Sequence, residues 1–334
     1  MGILSGLFGK KQENPASQEE RTEATSGEPA GEQDQVFQQE REVEAPDFHK
    51  LIWLNLLFQE KPERPAPALF AQKLGEKLGC AIDTVTEKED GIYSFAAKGL
   101  LVEYEGEKRV PAQVLIAPPS SFESEKIDAF QRSQLWDVQN GGELLDSCKY
   151  SVMLSDFMAS GLPYLERARL LTAWLETALE LFPGCTAVWV PSAGKLLDRE
   201  QAVNNPLTGD SRFMWYGVNV RFFNIQGSED KVMDTLGLYA LGLPDVQLHF
   251  RELNPDHVSN YLYNVGQYLY DNDVPIKPGE TVDGVNAQGK IDQSIQWECH
   301  YEQALIQPPR VVMDIYPGSF AAGRRPGGNK GNKK

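Results

Sequence analysis

The chain has 334 residues, 41% of them hydrophobic, with a formal net charge of -16. That length accommodates one large or two modest domains, and the apolar fraction is enough for a sizeable core. The first 49 residues hold 4 basic and 11 acidic residues and the last 18 hold 5 basic and none acidic, so the body between them is net -14. Such a body repels nucleic acid and anionic lipid head groups and attracts cationic partners. The four cysteines, Cys80, Cys148, Cys185 and Cys299, are scattered and form no CxxC pair, which argues against a disulfide framework or metal spacing and suits a reducing cytoplasm. The start MGILSGLFGKK puts a short apolar run before its lysines, the reverse of a secretory signal, and Gly6 breaks the myristoylation pattern. No run is long enough to span a bilayer, so no stable membrane insertion is expected.

Residues 1–48 are rich in Glu, Gln, Ser and Pro and read as a disordered acidic tail. Leu51–Phe58 reads as a buried strand. Pro65 and Pro67 open a helix with Leu69, Phe70, Leu74 and Leu78 on one face and Gly79 as its stop. Ile92–Ala96 and Leu100–Tyr104 read as two strands, and Glu105-Gly106-Glu107 turns into Val110–Ile116. A short helix is expected to start at Ser121 to Glu125 and to carry Ile127 and Phe130, and a strand is expected over Tyr150–Leu154. The order β-α-β-β-α-β is that of the split βαβ, or ferredoxin-like, motif.

Leu162–Phe182 is the most periodic stretch, with Leu165, Ala168, Leu171, Trp174, Leu175, Ala178 and Phe182 on one helical stripe. Ala187–Val190 reads as a strand and Gly194–Val203 as helical. Val218, Val220 and Phe222 alternate with Asn219, Arg221 and Phe223 in a half-buried strand. Asp230 is placed to cap a helix carrying Val232, Met233, Leu236, Tyr239 and Ala240, ended by a left-handed Gly242 and Pro244. Val246–Phe250 follows as a strand, and Asn254-Pro255 begins a helix with Val258, Leu262, Val265 and Leu269. Residues 271–290 read as a loop, Ile295–Leu305 and Val311–Ile315 as closing strands, and 317–334 as a disordered basic tail. The fold expected is α+β, with two ferredoxin-like lobes at 49–160 and 161–316 packed as one unit.

LIWLNLLFQEKP, AVWVPSAGKLL, VNVRFFN with VMDTLGLYALGLPDVQLHFR, and PPRVVMDIYP together resemble a bacterial family known as domain of unknown function 4261, over roughly residues 50–316. The resemblance implies an intracellular bacterial protein. It brings no reaction, cofactor or catalytic residue.

His249 and His257 flank Arg251, Glu252 and Asp256, but the separation fits neither HExxH nor a zinc spacing. Cys299 and His300 are adjacent on a strand and point to opposite faces, so they are no nucleophile–base pair. Ser192 and Gly194, between a strand and an expected helix, suit an anion at a helix N-terminus or a plain Ser cap. Trp189, Ser192, Trp215, Asn219, Arg221 and Asn224 are the candidate ligand-binding residues, with Arg221 suited to a carboxylate. The competing reading is a buried Arg221 satisfied by Asp234 or Glu252. No catalytic set, metal or cofactor is expected. The function expected is a non-enzymatic, cytoplasmic, acidic binding protein that masks a basic partner as immunity proteins do. The alternative is an enzyme or small-anion binder using the Arg221 recess, and a third reading is an adaptor tethered by its ends.

Overall fold

The structure, a computed structural model, describes residues 51–88, 90–104, 108–286 and 288–323. The N-terminal tail expected to be disordered and residues 324–334 of the C-terminal one lie outside these residues, whereas 317–323 are ordered, with a 3-10 turn at Gly318–Phe320 and a bridge from Ala321 to Phe250. Among the described residues the chain is mixed α/β, with seven α-helices and two sheets.

The first sheet is built around β1 (Trp53–Phe58), whose partners β6 (Tyr150–Phe157) and β7 (Ala187–Val190) both run antiparallel to it. Its spatial order is β2-β3-β4-β6-β1-β7-β8, with the two-residue β5 (Ser120–Ser121) also on β6. β2 spans Ile82–Glu87, β3 Tyr93–Tyr104, β4 Lys108–Ile116 and β8 Lys195–Asp198. β6 and β7 flank β1 in the same direction, so the helix between them crosses over β1.

That helix is α4 (Tyr164–Leu181), and beside it packs α1 (Pro67–Leu78). α1 starts with Pro67, whose missing N–H costs nothing there, and ends where Gly79 turns left-handed at φ 65°. Its Phe70 meets Phe95, Trp174 and Phe182 with ring centroids 5.6–6.0 Å apart. Trp174 donates its Nε1–H to the Leu115 carbonyl at 3.0 Å, which satisfies the one polar atom of a fully buried indole.

The second sheet has the order β12-β13-β14-β11-β10-β9. β9 spans Asn219–Asn224, β10 Lys231–Leu236, β11 Asp245–Phe250, β12 Thr281–Val285, β13 Ile291–Gln303 and β14 Val311–Tyr316. β9-β10-β11 and β12-β13-β14 are antiparallel meanders, joined by the parallel pair β11–β14. The connection passes through α7 (Pro255–Asp271), capped by the Asn254 side chain accepting from Asp256 N–H at 2.8 Å.

Several expectations are corrected. The helix expected over Val232–Ala240 is β10 followed by a 3-10 turn at Leu238–Leu241, and Asp230 caps no helix there. β10 is buried on both faces, so its apolar residues do not alternate, and helical spacing arises by coincidence. This removes one of the two helices that a split βαβ reading of the second unit requires. Gly194–Val203 is β8 and then the short α5 (Arg199–Val203), capped by Asp198. The loop expected over 271–290 contains β12, and the two strands expected over Ile92–Ala96 and Leu100–Tyr104 are the single strand β3 (Tyr93–Tyr104), with a register shift between Ala97 and Leu101. The helix expected to start at Ser121 to Glu125 and carry Ile127 and Phe130 is instead β5, a 3-10 turn at Ser124–Lys126 and the short α2 (Ala129–Arg132), which holds Phe130, followed by α3 (Gly141–Ser147). The change of sheet falls between Asp198 and Asn219, because β7 and β8 pair into the first sheet.

Between the sheets lies α6 (Arg212–Gly217). Phe213, Met214, Tyr216, Val218, Leu238, Ala240, Leu241 and Tyr270 belong to the same buried cluster as β1, α1 and α4. Arg167 of α4 shows how the units are tied. Its Nε–H donates to Asp156 Oδ2 at 2.6 Å, and its Nη1 reaches the Ala240 carbonyl at 3.3 Å.

Candidate ligand cavity along β9

β9 is the edge of the second sheet, and the segment between α2 and α3 lies against it. Gln134 substitutes for a neighbouring strand. Its Oε1 accepts from Phe222 N–H at 2.9 Å and its Nε2–H donates to the Phe222 carbonyl at 3.2 Å. Trp136 donates its Nε1–H to the same Oε1 at 2.9 Å, Phe130 stacks on Phe223, and Trp136 meets Phe222 edge-on. Because side chains alternate along a strand, this docking leaves a recess on each side of β9.

On one side is a cavity of about 380 Å³ lined by Ser192, Gly194, Arg221, Gln131, Tyr239 and Gln307, among others. Ser192 and Arg221 therefore share a recess. Arg221, however, is paired. It stands opposite Asp234 across the β9–β10 pair, donating Nε–H to Oδ1 at 2.9 Å and Nη2–H to Oδ2 at 2.6 Å, while Nη1 donates to the Gln307 carbonyl at 2.8 Å. Asp234 Oδ2 also accepts from Arg310 Nη2 at 2.6 Å, and Arg310 Nε–H donates to Asp245 at 3.0 Å. Thr235 Oγ1 and the Leu238 N–H complete Asp245 at 2.9 and 3.1 Å. Two arginines and two aspartates thus cancel inside the protein, which leaves Arg221 no free charge for a ligand.

The other candidates separate. Ser192 lies in the turn of the β7–β8 hairpin, where Val190 pairs Lys195, so it is neither a helix cap nor at a helix N-terminus. Asn219 is buried and donates Nδ2–H to the Gly194 carbonyl at 3.1 Å. Trp189 packs with Leu57, Leu145 and Leu196 beneath α3. Asn224 is exposed at the end of β9. Trp215 is drawn to the opposite side of β9.

There the larger cavity, about 510 Å³, is lined by Trp136, Asp137, Lys195, Trp215, Tyr263 and Asn264, with Val218, Val220 and Phe222 of the β9 region and Asp256, Ser259 and Asn260 of α7. Lys195 is the group that sequence reading missed. It is 4% exposed. Its Nζ donates to the Val218 carbonyl at 2.8 Å, stands 3.5 Å from Asp137 Oδ2, and lies 5.2 Å from the Trp215 ring centroid. An ammonium carries three protons, and among the described residues Nζ has two polar partners. Burial lowers its pKa from the ordinary lysine value, and Asp137 opposes that shift. Tyr263 has a hydroxyl sealed from solvent with no hydrogen-bond partner among the described residues. Burial raises its pKa, with the charges of Asp137 and Asp271 adding to the effect. The signal for Lys195 lay in AVWVPSAGKLL, where a hairpin's alternation, not a helix, governs which way the lysine points.

The other polar candidates are remote from this chemistry. Cys299 is buried among apolar residues, and burial pushes its thiol up to about 12, while His300 contacts Glu298 at 2.6 Å. His249 is fully buried, with Nε2 3.7 Å from Asp230. Among the described residues, no group of three or more His, Cys, Asp or Glu side chains is placed to hold a metal ion. No helix of the described residues is long and apolar enough to cross a membrane.

No curated protein and no solved structure matches the chain. The resemblance read over residues 50–316 is supported across its C-terminal part, from within β10 to the end of β14. The family model described as Domain of unknown function (DUF4261) matches residues 234–316.

Proposed function

We propose that the protein is a binding protein for a small, planar, unsaturated ligand bearing a carbonyl or carboxylate oxygen, held in the cavity between β9 and α7. One observation carries this reading: Lys195 is buried at the cavity with fewer polar partners than protons, beside an indole. A ligand oxygen supplies the missing acceptor, Tyr263 and Asn264 supply further polar contacts, and the indoles of Trp136 and Trp215 match a flat apolar body. The small-anion site thus moves from Arg221, which Asp234 neutralises, to Lys195. Benzoate tests this directly. Saturable binding by calorimetry, weakened at least about tenfold in Lys195→Met (about 1.4 kcal/mol), is the expected result. Binding unchanged in that variant overturns the reading.

A second reading has its own observation. Trp136 is 58% exposed and stands beside Asp137, with Asp256 on the same rim. Aromatic faces and carboxylates attract cations, and the acidic body suits a basic protein partner, masked as immunity proteins mask theirs. Benzamidine has benzoate's ring with the opposite charge. Preference for benzamidine favours the masking role, and preference for benzoate favours the small-ligand role.

We also read the first unit as ferredoxin-like: β4, β6, β1 and β7 are neighbours in that order with alternating direction, and α1 and α4 supply the two crossovers. The four free cysteines support a reducing, cytoplasmic setting.

A further inference from the structure

We propose that Lys195 is a covalent capture group: an aldehyde or ketone entering the cavity between β9 and α7 condenses with Nζ to form an imine. The inference rests on the small-ligand reading above and adds the chemical class of the ligand and the fate of its carbonyl.

The chemistry requires a neutral amine with access to a carbonyl carbon, an acceptor for the amine's proton and shelter from bulk water. Lys195 lines the cavity and is otherwise packed out of solvent. Burial favours its neutral form. Asp137 Oδ2 lies 3.5 Å from Nζ and is itself half-exposed, so it can take the ammonium proton and pass it to water. The Val218 carbonyl, 2.8 Å from Nζ, accepts one N–H and holds the amine in place. Tyr263 lines the same cavity with a hydroxyl that has no protein partner among the described residues. Its O–H, out of reach of solvent as it stands, meets a carbonyl oxygen when the phenol turns into the cavity, and burial keeps it protonated.

The steps balance without an oxidant or reductant. The Nζ lone pair forms the N–C bond, the carbonyl π pair moves onto oxygen, and that oxygen takes a proton as nitrogen loses one. The resulting carbinolamine then breaks its C–O bond. The oxygen leaves as water with a second proton, the nitrogen lone pair closes the C=N bond, and the nitrogen gives up its remaining proton, which replaces the one the oxygen took. The net change is amine plus carbonyl to imine plus water.

The test uses the full-length wild-type chain and needs no variant to fold. The protein is incubated with equimolar benzaldehyde and sodium cyanoborohydride, which reduces an imine to a stable secondary amine, and the label is located by peptide mapping. Benzoate, which cannot condense, is the competitor, and its own binding is measured calorimetrically. The expected result is one benzyl group at Lys195, acquired at least about tenfold faster than at surface lysines, with benzoate suppressing it. Benzoate binding combined with a label spread evenly over surface lysines overturns the imine proposal and leaves the small-ligand reading standing. Absence of both benzoate binding and Lys195 labelling overturns both. Tyr263→Phe supplies a further check, since it keeps the amine: the labelling rate at Lys195 is expected to fall, and an unchanged rate removes Tyr263 from the site.

Discussion

Gln134 hydrogen-bonds both the N–H and the C=O of Phe222, at 2.9 and 3.2 Å, and so occupies the place of a strand beside the edge of the second sheet. An open edge exposes unpaired backbone groups and invites pairing with another chain. Here a single amide side chain from the first unit blunts it, positions Trp136, and walls off two recesses.

Removing that amide leaves both Phe222 groups without their partner. Gln134→Ala is expected to cost about 1–3 kcal/mol in chemical denaturation, with faster hydrogen exchange at the Phe222 amide. Gln134→Glu keeps an acceptor but loses the donor, and should recover only part of the loss. Wild-type exchange at Phe222 in the alanine variant would contradict the strand-mimic role.

The buried charges make an asymmetric prediction. Asp234 has two arginine partners, Arg221 and Arg310, whereas Arg310 is the arginine that reaches Asp245. Arg310→Met strips Asp245 of its cation, and Arg221→Met leaves Asp234 with Arg310. Breaking a buried pair costs about 3–5 kcal/mol, and Arg310→Met should lie at or above that range with Arg221→Met below it. Equal losses, or an unchanged melting temperature for either, would argue against the shared network.

Alkaline pH should unfold the protein progressively. Burial pushes the Cys185 and Cys299 thiols from 9.0 to about 12, and the Tyr216 and Tyr239 phenols from 10.0 to about 12. Folded-state values raised above unfolded ones mean that the unfolded chain loses protons first. Stability is therefore complete below pH 9 and declines between pH 9 and about 12. Lys195, whose value is lowered, works in the opposite direction and gains stability as pH rises toward 10.5. The thiols and phenols outnumber it. Melting temperatures measured from pH 8 to 11 should fall less steeply in a Cys185→Ala, Cys299→Ala double variant; parallel slopes would contradict the assignment.

Cooperative unfolding is the consequence of the shared core. Arg167 and Trp174 of α4 lie in packing that includes β1, α6 and the turn after β10. Trp174→Ala is expected to cost about 3–5 kcal/mol and to shift every spectroscopic probe together. Separate transitions for the two sheets, or a stable protease fragment ending between Asp198 and Asn219, would show that the units are independent.

The elements legible in the sequence were those with a clear helical stripe or with proline or glycine at their ends. α4 and α7 show helical stripes, α1 is bracketed by Pro67 and Gly79, and β14 follows a proline pair. β10 was illegible because both its faces are buried, so Val232, Met233 and Leu236 fit a helical spacing equally well. That one misreading hid the site's logic. Arg221 and Asp234 are direct cross-strand neighbours only if β10 is a strand, and a strand there brings α7, not a local helix, over Val220 and Phe222. Gln134 carried no signal at all, since its role depends on a partner 88 residues away. Lys195 was concealed by the helical reading of Gly194–Val203, which treats a hairpin strand as a surface turn.

The measurement that bears most directly on the cavity is fluorine NMR of protein labelled with 5-fluorotryptophan and titrated with benzoate. Two of the chain's six tryptophans, Trp136 and Trp215, line the cavity. Saturable shifts confined to those two resonances, and lost in Lys195→Met, are the predicted result. Shifts at other tryptophans, no saturation, or an identical titration in Lys195→Met would contradict the assignment of this cavity as the ligand site.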